Sequence, residues 1–108
     1  MIELLFWEGC PSHPRARAEL NNLLDEFNID RDQLRLIELE TDADAQRERF
    51  IGSPTIRING EDLAPTGDTA YALDCRIYRR RDGKVSPLPD PADLREAIAQ
   101  YAATRKGI

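Results

Sequence analysis

The apolar run Ile2-Glu3-Leu4-Leu5-Phe6-Trp7 stops at a Gly9-Cys10-Pro11 corner, and a helical pattern begins almost at once. Six nearly continuous apolar residues suit a strand covered on both faces. In residues 15–27, Ala16, Leu20, Leu23, Leu24 and Phe27 recur at i, i+4, i+7, i+8 and i+11, one stripe of an amphipathic helix. A strand that feeds a helix through a tight corner constrains the chain to a layered α/β arrangement. The corner holds Cys10. Unpaired N–H groups at a helix start favour an anion, and a thiolate is one, so this position alone can activate a thiol.

The remaining pattern completes the layers. Residues 34–39 read as a second strand. Thr41 with Asp44 is a relative of the capping box, and a short helix to about Phe50 follows. Gly52-Ser53 breaks it. Residues 55–58 alternate as a half-buried strand, and Asn59-Gly60 is a turn signal. A longer loop over 61–74 is expected, then a last strand over 75–79 and an Asp82-Gly83 turn. Asp90-Pro91 starts a final helix as N-cap and first residue. Its buried face carries Leu94, Ala97, Ile98, Tyr101 and Ala102, and Gly107 stops it. The predicted order is β-α-β-α-β-β-α. A strand–helix–strand unit forces parallel pairing and a right-handed crossover. The expectation is a single domain over 1–108, with a four-stranded mixed sheet and helices on both faces.

Composition narrows the partners. With 108 residues the chain has room for one core. Its formal net charge of −5 argues against nucleic acid or an anionic membrane as the main partner. No apolar stretch approaches the roughly 20 residues that span a bilayer. The N-terminus has neither a basic region nor a cleavage site, so no signal peptide is expected. Two cysteines make no secreted disulfide framework, and a reducing cytoplasm is the expected location.

Two local features, set in this element order, resemble the thioredoxin-like superfamily in its compact, glutaredoxin-like form. Cys10-Pro11-Ser12-His13 follows the first strand, where that family has its C-x-x-C motif. Gly52-Ser53-Pro54-Thr55 precedes the third strand and resembles the family's cis-proline segment. The chain departs from the dithiol pattern, with His13 in place of the second cysteine. The resemblance therefore implies thiol–disulfide oxidoreductase chemistry through Cys10 alone. A small thiol such as glutathione, or a protein disulfide, would be substrate, and an external thiol would resolve the mixed disulfide. No cofactor beyond such a thiol co-substrate is implied.

The candidate residues follow. Cys10 is the expected nucleophile, partly exposed at its corner. His13 can hydrogen-bond the thiolate as an imidazolium, or stand as a solvated first-turn residue. Cys10 and His13 have zinc-like spacing, but without a second ligand pair no metal site is expected. The resemblance implies a cis Pro54 that turns Ser53 towards Cys10. The Ser53 N–H and C=O, with Thr55 beside them, then pair with an extended substrate backbone. Arg79-Arg80-Arg81, led by Arg79, can bind a carboxylate or oxyanion, or be a solvated strand end. Cys75 reads as a strand position far from Cys10, too distant for a disulfide. Two further readings stay open. One is a thiol-dependent reductase or transferase acting on a small electrophile or oxyanion. The other is a non-catalytic binding module.

Overall fold

The computed structural model describes residues 1–67 and 69–106. In chain order the elements are β1 (Ile2–Phe6), α1 (His13–Glu26), a 3₁₀ turn at Arg31–Gln33, β2 (Leu34–Glu38), α2 (Asp42–Glu48), β3 (Thr55–Ile58), β4 (Glu61–Asp62), β5 (Tyr78–Arg79), β6 (Val85–Ser86) and α3 (Pro91–Lys106). The sheet order is β2-β1-β3-β4. β1 runs parallel to β2, with Leu4 opposite Leu36, and antiparallel to β3, with Leu4 opposite Ile56. The sheet is therefore mixed, and β1 lies inside it.

Period-2 alternation assigns the two faces. Ile2, Leu4 and Ile56 pack with Ala16, Leu20 and Leu24 of α1 and with Leu94, Ile98 and Tyr101 of α3. Leu5 packs on the other side with Leu39, Ala45 of α2 and Phe50. Helices thus cover both faces. At the start of α2 the Thr41 hydroxyl accepts from the Asp44 N–H at 3.0 Å, while the Asp44 carboxylate accepts from the Thr41 N–H. Asp90 begins α3, its carboxylate accepting from Ala92 N–H at 2.8 Å. Among the described residues no helix is long and apolar enough to cross a membrane.

The second half of the chain departs from expectation. Asn59 (φ 52°) and Gly60 (φ 86°) form a tight turn with two positive φ values. β4 follows it immediately as the fourth strand, where the sequence predicts the start of a loop. The strand predicted over 75–79 is not in this sheet. Cys75 makes one isolated parallel bridge to Ser53, and β5 pairs with β6 in a separate two-stranded ribbon. Two-residue strands are shorter than the span over which alternation can be read. The predicted helix stop at Gly107 lies outside the described residues.

Candidate functional site

The corner after β1 is closed by its own backbone. Cys10 N–H donates to the Trp7 carbonyl at 3.0 Å, and Trp7 N–H donates to Ser53 Oγ at 3.0 Å. The Trp7 ring lies over Gly9, where a Cβ would come within 2.3 Å of ring atom Cζ2. Trp7 and Leu73 both pack on the core of Leu5, Leu39, Ala45 and Phe50. Cys10 is only 1% exposed, whereas the sequence predicts partial exposure for it. α1 starts at His13, with Ser12 as an N-cap that makes no side-chain cap bond. Cys10 therefore stands two residues before the cap.

Ser53 is fully buried, and its peptide bond to Pro54 is cis. The Cys10 thiol donates to the Ser53 carbonyl at 3.4 Å. The same carbonyl accepts from Arg76 N–H at 2.9 Å, and Ser53 N–H donates to the Asp74 carbonyl at 2.8 Å. The backbone groups expected to receive a substrate strand are thus paired with the chain's own segment 74–76. Beside Cys10, in the register of strand addition, lies Cys75.

That placement corrects the expected distance between the two cysteines. The expected geometry assumes that residues 75–79 begin at the far end of the sheet. Instead the chain returns to Ser53 before β5 begins, and Cys75 sits opposite Ser53. Both thiols are free, Cys10 buried and Cys75 exposed. The Cys75 thiol is pushed up to about 11, first by its hydrogen bond to Cys10, then by desolvation and by the Cys10 and Asp74 charges.

Segment 71–78 is held at several points. Gln46 Nε2 donates to the Tyr71 carbonyl at 3.0 Å, and Ala72 N–H donates to the Phe50 carbonyl at 3.0 Å. Arg76 is 4% exposed. Its guanidinium grips Asp62 with contacts of 2.8 and 3.1 Å, reaches Thr55 Oγ1 at 3.3 Å, and donates to the Ala64 carbonyl. It also lies over the Tyr78 ring, 4.3 Å from its centroid. The Tyr78 hydroxyl donates to the Pro54 carbonyl, and burial pushes this phenol's pKa upward. Sequence reasoning missed Arg76, Asp62 and Tyr78. Nothing in the sequence marks them, since a buried arginine differs from a solvated one only by its partner.

The other expected residues fall as follows. Thr55 is buried, and its hydroxyl donates to the Gly52 carbonyl at 2.6 Å. The His13 ring stacks on Phe6 at 4.6 Å between centroids, and its Nε2 lies 3.5 Å from Glu8 Oε2. Its partners are thus Phe6 and Glu8 rather than the Cys10 sulfur. Arg79 does not come to Cys10. It donates to the Gly83 carbonyl of its own ribbon at 3.2 Å, and Arg81 pairs with Asp93 and Glu96. Cys10 and Ser53 therefore meet, with Pro54 and Thr55 next in the chain and bonded to Tyr78, Gly52 and Arg76, while His13 and Arg79 are turned to other partners.

Comparison of the chain with protein-family models, curated proteins and solved structures returns no match.

Proposed function

We propose that the chain is a thioredoxin-like thiol–disulfide oxidoreductase whose nucleophile is Cys10 and whose substrate is a disulfide of a small thiol or of a protein. The observation that supports this reading is the Cys10 thiol bonded to the Ser53 carbonyl, with Cys75 paired across from that same residue. A buried cysteine serving only as a small hydrophobe has no need of either. In the reaction, the Cys10 thiolate attacks one sulfur of the disulfide. The S–S bond breaks, Cys10 holds one half as a mixed disulfide, and the other half leaves as a thiolate that takes a proton from water.

Burial of Cys10 sets the access condition: segment 71–75 must lift before a disulfide can reach the sulfur. An oxidised small thiol needs less clearance than an extended protein strand. The oxyanion reading has less support, because the arginine nearest Ser53 already pairs with Asp62. The binding-module reading loses its docking edge, because Ser53 already pairs with segment 74–76.

The test is release of reduced glutathione when oxidised glutathione is added to the reduced protein. The wild type should release it quickly, and Cys10→Ala should fall to the rate of a free small thiol. A Cys10→Ala protein that keeps the wild-type rate overturns the assignment.

A further inference from the structure

Resting on the exchange chemistry proposed for Cys10, we infer that Cys75 is the internal resolving thiol, so that the chain cycles between a Cys10/Cys75 dithiol and a Cys10–Cys75 disulfide. Geometry carries this. One residue, Ser53, receives the Cys10 thiol on its carbonyl and faces Cys75 across a parallel bridge. The bridge is fixed on both sides of Cys75, by the Ser53 N–H to Asp74 contact at 2.8 Å and the Arg76 N–H to Ser53 contact at 2.9 Å. Paired backbones lie about 4.8 Å apart, so Cys75 stands one strand spacing from Ser53, whose carbonyl oxygen is 3.4 Å from the Cys10 sulfur. These are the chain's only two cysteines. Their separation by 64 intervening positions hides a pairing that the C-x-x-C spacing shows directly in the dithiol proteins.

The step balances without an added oxidant. The first attack leaves Cys10 bonded to one half of the substrate and releases the other half as a thiolate. The Cys75 thiolate then attacks the Cys10 sulfur of the mixed disulfide. The Cys10–Cys75 bond forms, the bond to the substrate breaks, and the second half leaves as a thiolate. The two thiol protons pass to the leaving groups through water. The substrate disulfide gains two electrons, and the protein dithiol loses two.

The order of attack is built into the pair. Two of the causes that hold the Cys75 proton are the hydrogen bond to Cys10 and the Cys10 charge. Both vanish once Cys10 is in a mixed disulfide. Cys75 is thus more restrained before its partner has reacted than afterwards, when only desolvation and the Asp74 charge still hold its proton. Cys75 stands at an exposed position, the side of the internal disulfide from which an incoming reductant thiol would attack.

The experiment treats the reduced full-length protein with one equivalent of oxidised glutathione, quenches with acid and weighs the products by mass spectrometry. Wild type should lose two hydrogens as a monomer, with Cys10 and Cys75 peptides cross-linked. Cys75→Ser, and Cys75→Ala as a second variant, should hold one glutathione on Cys10, about tenfold or more above the wild-type level. Glutathione retained on wild-type Cys10 as fully as on the variants overturns the inference and leaves the Cys10 nucleophile standing. A disulfide-linked dimer in place of the internal bond also overturns the inference. If neither adduct nor disulfide forms in any protein while a free small thiol reacts, the Cys10 assignment itself fails.

Discussion

A thiol reacts through its thiolate, and Cys75 combines an exposed position with a proton that is hard to remove. Raised to about 11, it is almost wholly protonated at pH 8, and the first cause is the hydrogen bond to Cys10. Cys10→Ala removes that bond and the Cys10 charge while leaving desolvation and Asp74 in place. The thiolate fraction of Cys75 should rise, partly offset by the lower nucleophilicity of a less basic sulfur. Alkylation of Cys75 by iodoacetamide at pH 8 should therefore speed up by about three- to tenfold. An unchanged rate would show that Cys10 is not the group restraining it. His13→Ala should leave the rate as it is, because the imidazole faces Glu8 and Phe6. Legibility at this scale follows chemistry that leaves a local mark. Cys10 and Ser53-Pro54 stand at punctuation points, a Gly-Pro corner and a helix break. Arg76 and Asp62 leave none, because their burial depends on contacts between segments 14 positions apart.

Segment 71–78 makes the site what it is, and its two halves are held unequally. Neutral hydrogen bonds such as Ala72 to Phe50 or Ser53 to Asp74 contribute about 0.5–1.5 kcal/mol each. Separating Arg76 from Asp62 would strand a buried guanidinium, at about 3–5 kcal/mol. Opening therefore occurs on the Cys75 side, with Arg76 as the fixed end. Gly52 lets the segment sit so close. Its φ is +138°, and an added Cβ would stand 2.9 Å from both Cα and Cβ of Arg76. Gly52→Ala should cost about 1–3 kcal/mol of stability and push the segment off Ser53. The readouts are a lower urea midpoint and faster alkylation of Cys10. A destabilised variant in which Cys10 stays as protected as in wild type would show that segment 71–76 does not cover that sulfur. The elements themselves were legible where their period ran long enough: β1, α1, β2, α2, β3, the Asn59-Gly60 turn and the start of α3. β4, β5 and β6 have two residues each and carry no period. The isolated Ser53–Cys75 bridge is a tertiary contact with no local signature.

At the scale of the whole molecule, three carboxylates among the described residues stand at element ends, and each is held below its ordinary value. Asp25, near the end of α1, is lowered first by the side-chain hydrogen bond from Arg31. Asp44, at the start of α2, is lowered to about 2, first by Glu40 N–H and then by the Arg47 side chain. Asp90, before α3, is lowered first by Arg81 N–H and then by Ala92 N–H. A carboxylate with a depressed folded pKa favours the folded state above its unfolded value, near 3.9, and loses that contribution as pH falls through the folded value. For Asp44 the window runs from about pH 4 down to about 2. Stability should thus be nearly level from neutral pH to about 5 and fall below about 4, as the start of α2 loses its cap and the lowered Asp25 and Asp90 add losses in the same direction. Urea midpoints measured from pH 7 to pH 2 test this. Asp44→Ala should lie below wild type at neutral pH, and the gap should close as wild-type Asp44 protonates. A gap of constant size across that range would mean that Asp44 acts only through backbone propensity, and that the Thr41–Asp44 cap contributes no charge-dependent stability.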